Sequence, residues 1–357
     1  MKCHFDNFIA GAIDWIWRRR SKGLTLIRIS FPLLLALVGA GWGMDIIFPT
    51  SSGSIQLSLD MNQGPPAYLI VFCLIVTAAT FLLGIILLIF EERRLGKKRA
   101  VAIELRGLRD TTGTPLKDKI PHNILGRREQ ILVNIRRIDG RIFDPEDALQ
   151  QIVHLPTSIA QFAAGADRSD VAYVAGGLAP VPFSFLMGLQ LDDEGSIMLM
   201  DWDRNRGCWR LLDSEDDGDR FAISGMDQVG QAEEIVMSVS VSYSTNLPGI
   251  IQTFAEQPVV SMVLPNLSID GHWSEAKQAA LAQEFFDTLR ALCRTKVKRV
   301  NLILAAPNSV VIRFGRIYDK RNLPALNVWQ YENGQTPPYP WGVSMPVAGN
   351  GAEIVRH

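Results

Sequence analysis

The chain has 357 residues, 47% of them hydrophobic, and a formal net charge of −1. That balance argues against a general binder of DNA or RNA polymers, though not against one small anionic ligand. Cys3, Cys73, Cys208 and Cys293 are far apart, form no CxxC and have no histidine at ligand spacing, so no metal site or cofactor is expected.

Residues 5–17 are amphipathic. Phe5, Phe8, Ile9, Ile13, Ile16 and Trp17 can share one face, with Asp6, Asn7 and Asp14 elsewhere. Segment 1–23 reads as an in-plane helix at a membrane surface or as a free tail. Two apolar runs follow, 29–48 and 66–90. Each is about 20 residues or longer, enough to cross the ~30 Å hydrocarbon core as a helix. Together they predict a two-helix membrane region, 24–92, and neither has the features of a cleaved signal peptide.

Arg18, Arg19, Arg20 and Lys22 precede the first run, and Arg93, Arg94, Lys97, Lys98 and Arg99 follow the second. The loop between them carries no Lys or Arg. This bias places both termini in the cytoplasm, in a two-pass topology. Gly39 and Gly43 form a GxxxG, and Thr80 and Gly84 a small-xxx-small pair. Such pairs serve packing of the two spans on each other or of one subunit on the next. Asp45 is expected near the outer interface.

Beyond residue 98 the composition becomes globular. Strands are expected at 100–105 and 234–241, each leading into a polar turn and then a helical stretch. Ser274 is a plausible N-cap, and Leu281, Phe285, Leu289 and Leu292 mark one helical face. In the first copy Leu149, Ile152, Val153, Ile159 and Phe162 form the corresponding stretch, interrupted by Pro156. The two copies align without a gap further on. Ala179-Pro180 matches Ala306-Pro307, Gly188 matches Gly315, Asp192 matches Asp319, and Trp202 matches Trp329, every pair 127 positions apart (306 less 179). Matches at one fixed period mark a duplication. Two α/β halves are expected, 99–217 and 231–346, with an acidic linker starting at Asp213 and a tail at 347–357.

Strands alternating with helices imply a parallel sheet whose ligands bind beyond the carboxyl ends of the strands. The small-residue stretches Gly176-Gly177-Leu178-Ala179-Pro180 and Ala305-Ala306-Pro307-Asn308-Ser309 are expected as turns there. They read as phosphate-approaching turns or as turns alone. Asp201, Asp203, Asp216, Asp217 and Asp219 are expected as a solvated acidic surface rather than a hydrolase centre, since no His or Lys is spaced to complete one.

The run Arg299-Val300-Asn301-Leu302-Ile303-Leu304-Ala305-Ala306-Pro307, then Phe314-Gly315-Arg316, Asn327-Val328-Trp329-Gln330-Tyr331-Glu332 and Tyr339-Pro340-Trp341, resembles the SAVED domain of bacterial anti-phage signalling. The resemblance covers 99–346 and implies tandem CARF-like, Rossmann-like halves. With two membrane helices ahead, it is similar to the two-span effectors of CBASS systems. It implies no enzyme but an inner-membrane effector that binds a cyclic di- or trinucleotide, adenine-containing, made by a cognate nucleotidyltransferase. It also implies homo-oligomerisation and disruption of the bilayer. A receptor signalling to a partner, or a ring nuclease cleaving its own ligand, are the alternatives.

Such a ligand needs donors for phosphate and flat surfaces for bases. The phosphate candidates are Arg106 and Gly107, Ser240, Ser242 and Ser244, and the two small-residue turns with Gly176, Gly177, Ala179, Pro180, Ala306, Pro307 and Asn308. The stacking candidates are Tyr243, Trp202 and Tyr331. Trp202 and Trp329 also read as equivalent core positions, and Arg204 as a ligand contact or a surface charge.

Overall fold

The computed structural model describes residues 22–39, 45–50, 53–58, 67–107, 114–136, 144–192, 195, 197–255, 257–347 and 350–357. The chain divides into two compact units, Met1–Lys97 and Lys98–His357.

In the first unit, helix α1 (Lys22–Gly39) is followed by an antiparallel hairpin, β1 (Asp45–Thr50) and β2 (Gly53–Ser58), and then by helix α2 (Ala67–Lys97). The expected first span at 29–48 is therefore corrected. Its helix lies further toward the N-terminus, and Asp45 opens a strand. The cause is local: Gly39, Gly41 and Gly43 are poor helix formers, and Ile46-Ile47-Phe48 favours a strand. Among the described residues, one helix is long and apolar enough to cross a membrane, 70–94, with a mean hydropathy of 2.9. The helices meet where a Cβ on Gly23 would lie 2.6 Å from the Gly84 carbonyl, and Phe31 faces Phe81 at 6.1 Å. Gly84 thus packs within the chain, while the Thr80 hydroxyl donates to Val76 of its own helix. Gly39 ends α1, and Gly43 and the amphipathic segment 5–17 lie outside the described residues.

The second unit holds two sheets. The first has the order β4-β3-β5-β6-β7, from β3 (Arg99–Arg106), β4 (Arg127–Asn134), β5 (Val171–Leu178), β6 (Ile197–Asp203) and β7 (Cys208–Leu211). The second has the order β14-β13-β12-β11-β9-β10-β8. Its strands are β8 (Ala222–Ser224), β9 (Glu234–Ser240), β10 (Val259–Val263), β11 (Arg299–Ala305), β12 (Ala325–Gln330), β13 (Trp341–Ser344) and β14 (Glu353–Arg356). Strand β3 is flanked by parallel β4 and β5, and β9 by parallel β10 and β11. In both sheets the next strand, β6 or β12, is parallel and the one after, β7 or β13, antiparallel. The two halves therefore share one path. Continuous apolar runs such as Ala100–Ile103 suit strands covered on both faces.

In the first half α3 (Pro145–Val153) and α4 (Leu155–Ala163) form the interrupted helix, with Pro156 in the first turn of α4. The second half carries α6 (Leu247–Phe254) and α7 (Glu275–Leu292). Ser274 caps α7 by accepting from the Lys277 N–H at 3.2 Å, and Leu281, Phe285, Leu289 and Leu292 are buried. Between them in the fold, α5 (Val181–Gln190) and α8 (Asn308–Ile317) start 127 positions apart (308 less 181) and cross each other. Their equivalent glycines set the crossing. A Cβ on Gly188 would lie 2.0 Å from the Ile312 carbonyl, and one on Gly315 2.1 Å from the Phe185 carbonyl. Residues 347–357, expected as a tail, include β14, and His357 stacks on Trp329 at 4.3 Å.

Candidate functional site

The crossing of α5 and α8 brings the carboxyl ends of both parallel sheets to one place. There a cleft of about 830 Å³, its open mouth included, lies between the halves. The first half supplies Leu178 and the end of β6 with its turn, Asp201, Trp202, Arg204 and Asn205. The second supplies Ser242 and Tyr243 beyond β9 and the turn from β11 into α8, Leu304 to Asn308. A loop ahead of α7 adds Ile269, Asp270, His272 and Trp273.

Each wall has a local cause. The Asp203 carboxylate accepts from the Asn205 and Arg206 N–H groups, both at 2.9 Å, and Gly207 closes that turn at φ 62°. The turn presents Arg204, which is exposed. Behind β9, the Ser242 N–H and hydroxyl both donate to the Ala305 carbonyl, at 3.0 and 3.2 Å. This leaves Tyr243 outside, 57% exposed. The loop wall is pinned by the linker: the Ser214 N–H donates to the Trp273 carbonyl at 2.8 Å, and the Arg210 guanidinium lies 4.6 Å over the Trp273 ring.

Asp201, buried at the end of β6, joins the halves. One carboxylate oxygen accepts from the Ser309 N–H at 2.9 Å, the other from the Trp202 N–H at 2.7 Å. A carboxylate at a helix N-terminus meets its free amides and its positive end. His272 is buried beside it, its Nε2 3.5 Å from the Asp201 carboxylate and its ring against Trp273 at 4.2 Å. Burial holds the imidazole below the usual histidine range, against the opposite pull of Asp201.

Seven expected residues thus meet in the cleft: Trp202, Arg204, Ser242, Tyr243, Ala306, Pro307 and Asn308. The others lie elsewhere, for visible reasons. Arg106 donates to Glu104 at 2.6 Å, and Glu104 is fully buried with Gln130 and the Leu116 N–H as further partners. Gly107 donates its N–H to Leu178 at 2.7 Å, and a Cβ there would meet Ile135 and Pro180. Gly176 and Gly177, expected in a turn, lie inside β5. Gly176 makes room for the Trp209 ring, 2.8 Å from its would-be Cβ, and Gly177 faces Leu105. Ala179 and Pro180 are buried. Ser240 is buried and accepts from the Thr245 N–H at 3.1 Å. Tyr331 is 44% exposed and packs on Tyr339 at 5.5 Å. Trp329 is core, with its Nε1 donating to Asn301 at 2.9 Å. Trp202, by contrast, is half-buried at the cleft.

The acidic linker is not simply solvated. Asp217 and Asp219 hold Lys277, itself 3% exposed, at 2.6 and 3.8 Å, and Arg220 holds Asp216 at 2.7 Å. The hydrogen bond from Arg220 brings the Asp216 carboxyl down to about 2. Among the described residues no cluster of three His, Cys, Asp or Glu side chains could hold a metal ion. Sequence reasoning missed His272, Trp273, Asn205, Ile269 and Asp270. The available signal was Gly271-His272-Trp273, a polar-aromatic stretch directly before the Ser274 cap.

Residues 155–345, more than half of the chain, match the model of the SMODS-associated and fused to various effectors sensor domain, SAVED. Residues 2–149 match that of the SAVED-fused 2TM effector domain. No curated protein matches the chain. Among solved structures it is similar to the Cap4 SAVED/CARF-domain containing receptor of Acinetobacter baumannii with the cyclic trinucleotide 3'3'3'-cAAA. The identity is 13%, the TM-score 0.47, and the match covers 72% of this chain and 54% of that one. The Moraxella osloensis Cap4 receptor is similar at 13% identity and a TM-score of 0.44, over 72% of this chain and 52% of the other. The chain spans about half the length of these receptors. The chain belongs to the SAVED family and carries that sensor domain behind a SAVED-fused 2TM effector domain.

Proposed function

We propose that this protein is the membrane effector of a CBASS anti-phage system. The cleft between the halves binds a cyclic oligonucleotide released on infection, the liganded chains assemble, and their membrane regions breach the inner membrane. The observation that carries the reading is the cleft itself. It is a concave site on which aromatic and polar groups of both halves converge, the kind of lining that takes a small ligand. Trp202 and Tyr243 offer faces for bases, and Arg204, Asn205 and Asn308 offer donors for phosphate or base edges. The joining of a sensor and a 2TM effector in one chain supports the output.

Two helices per chain cannot enclose an aqueous path whose lipid face stays apolar, so several chains are required. A ligand promotes that assembly only by binding the assembled state more tightly. The basic flanks favour a cytoplasmic side for both termini, which would give the cleft access to a cytoplasmic messenger.

The test is calorimetric titration of the full-length protein in detergent with cyclic di-, tri- and tetra-adenylates. Dye release from liposomes carrying the protein follows with any ring that binds. Binding with ligand-dependent release is expected. Binding without release would leave a receptor acting through a partner, and binding of no ring would overturn the reading.

A further inference from the structure

His272 stands out among the groups lining the cleft. Its side chain is 6% exposed, and neither ring nitrogen has a partner in good hydrogen-bond geometry. Leaving a buried donor or acceptor without a well-made partner costs about 1–3 kcal/mol. Its neighbours indicate what would complete it. The Asp201 carboxylate at 3.5 Å and the Ile269 backbone are acceptors that favour a proton on the ring, and Asp270 on the same loop adds a second negative charge. From β7, Arg210 opposes the proton, but its guanidinium is drawn to Asp203 and the Trp273 face. The two helices that approach present neutral groups, Gln278 of α7 and Ser309 of α8. Burial outweighs these pulls and holds the ring below the usual histidine range in the free protein. An anion entering beside it adds the charge needed to tip the balance.

We propose that His272 is a phosphate-contacting residue of this cleft, taking up a proton from solvent as a phosphodiester enters and donating a charged hydrogen bond to it. This rests on the receptor reading above. It also separates two kinds of contact in the cleft: Trp202 and Tyr243 can stack any base, whereas His272 answers only to an acceptor, and an anion best. By linkage, a ligand that raises the proton affinity of the ring binds more tightly as pH falls, by up to about tenfold per pH unit where a full proton is taken up.

The experiment is calorimetry of the full-length protein in detergent with cyclic triadenylate 3'3'3'-cAAA, at pH 7, in PIPES and in Tris. The difference in enthalpy between the buffers reads the protons taken up. The wild-type protein is expected to take up protons on binding, to a limit of one per ring bound. His272→Asn, checked by thermal melting, is expected to bind about tenfold or more weakly and without proton uptake. Wild-type binding with no proton uptake overturns the proposal and leaves the receptor reading standing, as does unchanged uptake in His272→Asn. Should that variant fail to fold, wild-type affinity decides: it must strengthen from pH 8 to pH 6, and a flat profile overturns the proposal. If neither this ring nor any other cyclic adenylate binds, the receptor reading falls and this proposal with it.

Discussion

The two halves of the sensor unit follow the same path, yet they meet the cleft differently. In the first half the turn after β5 is closed: Ala179 and Pro180 are buried, and Gly107 packs on Pro180. In the second half the equivalent turn, Ala306 and Pro307, is half-open and lines the cleft. The helix starts show the same contrast. The first N–H of α5 donates to the Gln330 side chain of the second half at 3.1 Å, whereas the Ser309 N–H of α8 donates to Asp201 of the first half. Each half caps the other, one with a neutral amide and one with a carboxylate. A duplicated frame has thus produced one asymmetric site. The halves are tied by reciprocal contacts, and they line the cleft unequally: the first with the end of β6 and its turn, the second with the turns beyond β9 and β11.

The largest effect should come from breaking the frame that both halves share. Gly188→Val and Gly315→Val each place side-chain carbons where the facing helix has its carbonyls. Overpacking of this kind costs about 3 kcal/mol at the upper end of the usual range, since backbone must move. Urea unfolding of either variant should show a large loss of stability, and an unshifted midpoint would mean the helices do not cross there. Next, Asp201→Ala leaves the buried Ser309 N–H and the part-buried Trp202 N–H unpaired, at about 2–3 kcal/mol. Gln330→Ala, which removes only a neutral cap, should cost less, about 1 kcal/mol. Equal losses for these two would erase the asymmetry argued above.

The matched pair Ala179→Asp and Ala306→Asp sharpens the comparison through function. The first puts a charge into the core and should lower the melting temperature by many degrees. The second should melt close to wild type yet lose cyclic-nucleotide binding by about a hundredfold, through bulk and charge repulsion. Similar behaviour of both would make the two turns equivalent after all. The smallest effect is expected at the ion pair of Arg356 with Glu146, which ties β14 to α3. The hydrogen bond from Arg356 brings the Glu146 carboxyl down to about 2. Its stabilisation is therefore present at neutral pH and lost as pH falls toward that value. Because the pair is about half exposed, Arg356→Ala should cost no more than about 1 kcal/mol, and less in high salt.

Much of this frame was legible in the sequence because it rests on periodicity. The fixed spacing of Ala179 and Ala306, or Gly188 and Gly315, exposed the duplication, and the face Leu281, Phe285, Leu289 and Leu292 marked α7. The glycines, however, were legible only as small. Gly176 and Gly177 look like a turn because strand-interior glycine is unusual, but both lie inside β5, where the Trp209 ring brought across by β7 leaves no room for a side chain at 176. Arg106 looked like a phosphate donor because its partner, Glu104, is hidden one strand position pair away on the same chain segment, and only the burial of that carboxylate reveals the commitment. Likewise, the apolar run into Phe48 resembled a span because hydropathy alone does not register a hairpin. His272 and Asp201 meet across 71 positions (272 less 201), through the packing of a loop on a strand end, and no local pattern announces such a contact.

The central claim is that one cleft, built from unlike contributions of like halves, holds the ligand. Hydrogen–deuterium exchange of the full-length protein with and without a bound cyclic oligonucleotide tests it most directly. Protection should concentrate at 201–205, 242–243, 269–273 and 304–309, with little change at 106–107 and 134–136. Protection centred on 106–107 and 134–136, with the cleft segments unchanged, would contradict the account.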